Sequence, residues 1–148
     1  MVPRLKIYAI NLARAADRRE AIVRQLDELA AAAEFVPACD GHAADFSFDA
    51  YAHLLAPEQR GPEFKPGPFA CFISHARVWE RIADGDEPFG LVIEDDVTFD
   101  RASFQHRLVG PYPEGVDIVF VNRRMYKLAV AAGLSTDFAA QPDPDRWM

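Results

Sequence analysis

Four short apolar runs, each stopped by a polar residue, constrain this chain more than any other feature. "LKIYAI" (5–10) stops at Asn11, "FVPAC" (35–39) at Asp40-Gly41, "FGLVI" (89–93) at Glu94-Asp95-Asp96, and "VDIVFV" (116–121) at Asn122. Runs of this length, rich in Ile, Val, Phe and Tyr, are strand signals. Helical patterns separate them. Asp17 and Glu20 form an aspartate variant of a capping box, and Ile22, Val23, Leu26, Leu29 and Ala33 follow at helical spacing. The proline- and glycine-rich stretch 57–68 reads as a loop. After it Phe69, Phe72, Ile73, Ala76, Trp79 and Ile82 recur every three or four residues, which predicts an amphipathic helix starting just past Pro68 with Phe72, Ile73 and Trp79 in the core. "DRASFQHRL" reads as a short helix capped by Asp100, residues 123–134 fit helix or strand, and "QPDPDRWM" is a loose tail.

Strands alternating with helices predict an α/β fold: an open, mostly parallel sheet with flanking helices and right-handed crossovers. Pro37 inside the second run suggests an edge strand. Ligands of such sheets bind beyond the carboxyl ends of the strands, where Asn11, Asp40, the triplet 94–96 and Asn122 all fall. A length of 148 residues, half of them hydrophobic, suits a single domain over 1–148 with a sizeable core. The net charge of −7 gives no general attraction for nucleic acid or anionic lipid, although a local basic patch can still hold a phosphate. Cys39 and Cys71 match no zinc or redox spacing and read as free buried thiols, which fits a reducing compartment. The first apolar run is too short for a secretory signal and no later run reaches membrane-spanning length. The expectation is a cytoplasmic protein without a transmembrane segment, working at a membrane face, if at all, through its substrate.

Three carboxylates in a row behind a buried strand repel one another, so the cluster must be solvated, neutralised by a cation or partly protonated. In extended chain Glu94 and Asp96 share a face and Asp95 points away. Two oxygen donors on one side, with a third nearby, suit magnesium or manganese, which commonly clamps phosphates. A plain solvated acidic turn is the competing reading. A receiver domain would need a phospho-accepting Asp two strands later, and a single good strand follows. A haloacid-dehalogenase-type phosphatase would need Asp where Glu94 stands, and the longer side chain displaces the attacking oxygen.

The segments "IYAINLARAADRREAI", "ACDG", "GPFACFISHARVWERIADGDEPFGLVIEDDVTF" and "DIVFVN" occur in the order seen in glycosyltransferase family 25, whose bacterial members include lipopolysaccharide galactosyltransferases. Together they span about residues 5–122, and S-H-x-x-x-W followed by E-D-D is far more specific than E-D-D alone. The resemblance implies a GT-A-like nucleotide-sugar-binding (Rossmann-like) domain that transfers a hexose, galactose foremost, from a UDP-sugar to a lipopolysaccharide-type glycan or glycolipid acceptor, with inversion and with a divalent metal (Mn2+ or Mg2+). Carried over, Asp96 coordinates the metal, Glu94 supports it directly or through water, and Asp95 faces the ribose or sugar.

Other donor-side residues keep two readings each. Asn11 meets the uracil or ribose, or is a turn Asn; Arg14, Arg18 or Arg19 lies near the base or diphosphate, or on a solvated helix start. Asp40 with Gly41 contacts the donor or makes a plain turn. His75 is a catalytic or donor-site histidine, or a half-buried structural one. Family members usually continue well beyond this length, and the later half commonly supplies the general base. The alternative function is therefore a catalytically incomplete module that binds a nucleotide-sugar or a partner enzyme.

Overall fold

The computed structural model describes residues 5–54, 65–100 and 104. The chain separates into two compact units, residues 1–98 and 99–148. In the first, three strands form a parallel sheet: β1 (Lys6–Asn11), β2 (Ala33–Pro37) and β3 (Gly90–Glu94), in the order β2-β1-β3. Helix α1 (Ala16–Glu28) connects β1 to β2, and α2 (Pro66–Ala83) precedes β3. This is a small Rossmann-like α/β arrangement. Among the described strands β2 is an edge, and Pro37 ends it.

Central β1 is buried on both faces, from Ile7 through Asn11, as its apolar sequence requires. On one face Tyr8, Ile10 and Val36 pack with Val78 of α2, joined by Ile82 and Val92. Burying side chains of this kind contributes about 1.5–3 kcal/mol each. By the strand period Ile7, Ala9 and Asn11 occupy the opposite face. The pairing register sets Ile7 against Ala33 and Leu91, and Ile10 against Val36 and Glu94.

Several sequence expectations are corrected. Helix α1 begins at Ala16 with no side-chain cap, so Asp17 and Glu20 form no capping box. Asp17 instead lies in the first turn, where its charge complements the helix dipole. The helix stops at Glu28 because Ala30 adopts a left-handed φ of 50° and the Ala31 N–H turns back to the Leu26 carbonyl. Leu29 therefore leaves the helix and Ala33 opens β2. Val23 is exposed, and α1 buries Ile22 and Leu26.

Helix α2 starts earlier than its apolar pattern indicated, with Lys65 as N-cap and Pro66 in the first turn. Proline is tolerated there because first-turn N–H groups have no intrahelical partner. Its buried stripe is Phe69, Ala70, Ile73, Ser74 and Val78. Trp79, assigned to the core by spacing, is 40% exposed. It sits at the border of the stripe, where its ring meets those of Phe72 and His75. The cysteines are free, as expected, but not buried: Cys71 is exposed and Cys39 partly so.

A 3₁₀ helix (Asp49–Leu54) had no sequence counterpart. Near it Phe46 and Phe48 pack on Phe69, and Tyr51 stacks on Phe46 and accepts a hydrogen bond from Arg77 at 2.9 Å. In the second unit the Phe104 N–H donates to the Asp100 carbonyl at 2.8 Å, a bond of helical spacing where a helix was expected. The anticipated strand at 116–122, Asn122, the 123–134 segment and the tail lie outside the described residues.

Candidate donor-binding rim

The register determines where the acidic triplet goes. Ile10 pairs with Glu94, so the next residues, Asn11 and Asp95, fall side by side at the carboxyl end of the sheet. Exposure alternates accordingly: Ile93 buried, Glu94 exposed, Asp95 buried, Asp96 exposed. Glu94 shares the α2 face with Ile10, while Asp95 shares the opposite face with Asn11.

Asp95 is 8% exposed and both of its carboxylate oxygens accept hydrogen bonds. Asn11 Nδ2 donates to Oδ2 at 2.8 Å, the Leu12 N–H approaches the same oxygen at 3.4 Å, and Arg18 donates to Oδ1 at 3.2 Å. Asn11, 6% exposed, uses its second amide hydrogen on the Ala15 carbonyl at 3.1 Å. That carbonyl also accepts the Arg19 N–H that opens α1. One asparagine thus joins the end of β1, the start of α1 and the acid behind β3. A buried carboxylate survives here because charge-assisted hydrogen bonds replace its water.

The other candidates are placed around this knot. Arg14 pairs with Asp40, linking the loop after β1 to the loop after β2. Asp40 also accepts the His42 N–H at 3.0 Å, a local turn contact. Next to this turn Gly41 is obligatory, since a Cβ there would lie 2.3 Å from the Pro66 carbonyl oxygen. Arg18 reaches both acids, at 3.2 Å to Asp95 and 4.0 Å to Asp96. Arg19 stacks on Phe35, its guanidinium 4.0 Å from the ring centre. Ser74 is buried and structural: its hydroxyl donates to the Ala70 carbonyl at 2.7 Å and accepts the Cys39 N–H at 2.8 Å.

His75 lies 3.4 Å through Nε2 from Glu94 Oε1. That hydrogen bond holds the Glu94 carboxyl below the usual range, against the opposing effects of burial and of Asp95. Burial, with Glu94 and Asp96 nearby, pushes the Cys71 thiol up. The three carboxylates do not converge on one point. Among the described residues, the ligand-type atoms that do converge are those of Cys71, His75 and Glu94, within 4.8 Å of one another. In the sequence Cys71 stands as a free buried thiol with no metal-binding spacing to Cys39, so this group was not expected. The legible signal was the spacing of Cys71 and His75, four residues apart on one helix.

Fold and rim together define a Rossmann-like α/β domain with a polar, charge-lined carboxyl edge, the place where such sheets take ligands. Residues 4–109 match the model of glycosyltransferase family 25 (LPS biosynthesis protein), and the chain belongs to that family. It is 32% identical to procollagen galactosyltransferase 1 of Danio rerio over 80% of this chain and 21% of that protein. It is 37% identical to human procollagen galactosyltransferase 2 over 70% of this chain and 17% of that one. It is 34% identical to the human protein named inactive glycosyltransferase 25 family member 3, over 70% and 18% respectively. The chain thus spans about a fifth of the length of the curated relatives it matches.

Proposed function

We propose that this chain forms the donor side of a glycosyltransferase that moves a hexose, galactose foremost, from a UDP-sugar to a glycan or glycolipid acceptor, with inversion at the anomeric carbon. The observation that carries the reading is the unequal treatment of the three acids. Asp95 is buried and satisfied by Asn11 and Arg18, whereas Glu94 and Asp96 stand half or more exposed at the strand end. Asp96 has a distant approach to Arg18, and Glu94 the imidazole of His75. Two exposed carboxylates of this kind are hard oxygen donors and fit a divalent cation, manganese or magnesium. Asp96 would hold it, and Glu94, whose carboxylate is turned to His75 and does not converge with that of Asp96, would support it through water. The cation would supply neutralisation of the diphosphate as charge grows on the departing nucleotide.

The chain's own groups have separate tasks. Asn11 and Arg18 hold Asp95, the residue before Asp96, against the end of β1 and the start of α1. Arg18, half exposed, offers remaining guanidinium hydrogens towards solvent at the rim, where a phosphate oxygen can accept them. Arg14 and Asp40 border the same edge from the neighbouring loops. The domain is GT-A-like on this reading, with the acidic triplet serving as its cation-binding motif. Lipopolysaccharide-type acceptors fit the description of the matched family, and procollagen acceptors fit the names of the vertebrate relatives. A glycolipid acceptor would bring a cytoplasmic chain to the membrane face; among the described residues no helix is long and apolar enough to cross a membrane.

A second reading, binding without transfer, draws on the match to a relative named inactive. Incubating the purified chain with UDP-galactose, manganese and glycan acceptors, and following UDP release, separates the two. Acceptor-stimulated release that falls at least about tenfold in Asp96→Asn supports transfer. Binding without release supports the second reading, and neither binding nor release overturns both.

A further inference from the structure

The face of β3 opposite Asn11 carries a second set of chemically capable side chains. Cys71 and His75 stand four residues apart on α2, one above the other on the same side of the helix. Glu94, the last residue of β3, points to that side by the register that pairs it with Ile10. One ligand atom from each of the three lies within 4.8 Å of the others, and the His75 to Glu94 approach is 3.4 Å. In a four-coordinate zinc site with metal–ligand distances of about 2.0–2.3 Å, donor atoms sit roughly 3.3–3.8 Å apart. The group therefore needs small side-chain adjustments and no backbone movement.

The frame is rigid. Ile73 and Val78 bury α2 around the pair, and Ser74, between Cys71 and His75, is locked to Ala70 and to the backbone of Cys39. Trp79 lies against the imidazole, ring centres 6.0 Å apart. Ile93 anchors β3 immediately before Glu94. All three donors thus sit on a helix and a strand rather than on loops, the condition for a precise metal site. Their chemistry is also selective. A thiolate and an imidazole are poor ligands for magnesium and good ones for zinc, and a thiolate with a carboxylate balances the charge of a divalent ion.

We infer that Cys71, His75 and Glu94 form a binding site for a thiophilic divalent cation such as zinc, with a fourth position open to water or to a ligand oxygen. Binding replaces the His75–Glu94 hydrogen bond with bonds from Sγ, an imidazole nitrogen and a carboxylate oxygen to the metal, and the thiol proton passes to solvent. Three protein ligands and one open position distinguish this site from a closed structural one. It shares Glu94 with the donor-site reading but does not depend on it, because the test contains no nucleotide.

Cobalt(II) is the probe, since a thiolate ligand gives it a near-ultraviolet charge-transfer band. Titrating the full chain should produce that band with an equimolar endpoint, and zinc should displace it. Cys39→Ser should retain the band, Cys71→Ser should lose it, and His75→Ala should weaken affinity beyond the ~10–100-fold that loss of an outer-shell partner costs. As a check that needs no substitution at the site, zinc should protect Cys71 from alkylation in the Cys39→Ser chain. Absence of the band in the unmodified chain, its persistence in Cys71→Ser, or alkylation unaffected by saturating zinc would each overturn the inference.

Discussion

Replacing Asn11 by Ala tests the knot that shapes the rim. The substitution removes two donated hydrogen bonds, one to the Asp95 carboxylate at 2.8 Å and one to the Ala15 carbonyl at 3.1 Å. The first is charge-assisted and buried, and bonds of that kind contribute about 1.5–3 kcal/mol. The second leaves a carbonyl that still accepts the Arg19 N–H, so its loss adds little. Arg18 and the Leu12 N–H remain on Asp95, which keeps the cost below that of a stranded buried charge. The expected loss is therefore about 2–3 kcal/mol, equivalent to roughly 4–10 °C in Tm for a chain of this size. Urea denaturation of the full chain followed by far-ultraviolet circular dichroism measures it. A double-mutant cycle with Asp95→Ala isolates the pair, with a coupling of about 1–2 kcal/mol expected. A loss under about 0.5 kcal/mol, or strict additivity with Asp95→Ala, would refute the claim that Asn11 holds Asp95.

Three further outcomes follow from local geometry. Ser74→Ala leaves the Cys39 N–H and the end of β2 without their link to α2, and should cost about 1–3 kcal/mol in the same denaturation assay. Gly41→Ala drives a Cβ into the Pro66 backbone at 2.3 Å, whereas Gly90→Ala meets the side-chain tip of Ile82 at 2.6 Å, so differential scanning calorimetry should show the larger loss at Gly41. Glu34 is held below its ordinary pKa of 4.5 chiefly by the Lys6 hydrogen bond, with Arg81 adding to it. Its folded pKa is depressed, so its contribution is fully present above the unfolded value and disappears as pH falls through the folded one. Glu34→Gln should accordingly flatten the acid side of the stability profile below about pH 4.5 and leave its slope near neutrality unchanged.

The sheet was legible because its strands are short apolar runs with polar stops, and each of the three described strands ends within a few residues of the expected polar residue. The exposure of Glu94, Asp95 and Asp96 alternates as a continued strand would make it, although β3 itself ends at Glu94 and the next two residues turn. Which neighbour Asp95 meets was not, because that depends on the register between β1 and β3, residues 84 apart in sequence. Helix ends were misplaced where tertiary contacts override local signals. Asn11, from outside the helix, bonds the Ala15 carbonyl at the start of α1, while Asp17 and Glu20 make no cap. Ala30 takes a backbone conformation usually reserved for glycine or asparagine. Trp79 fits helical spacing yet lies outside the buried stripe, because a one-residue offset rotates a side chain by 100° and Val78 occupies the inward position. The Cys71, His75 and Glu94 group needed the packing of α2 beside β3, which no single segment encodes.

The central claim, that the exposed acids at the end of β3 accept a cation which in turn accepts a diphosphate, is tested most directly by calorimetric titration of the full chain with UDP. With manganese present the account predicts saturable one-to-one binding, weakened at least about tenfold by EDTA because Glu94 and Asp96 alone repel a diphosphate. Asp96→Asn should reproduce most of that loss at unchanged thermal stability. Equal UDP affinity with and without EDTA, or an Asp96→Asn chain that binds as tightly as the parent, would contradict it.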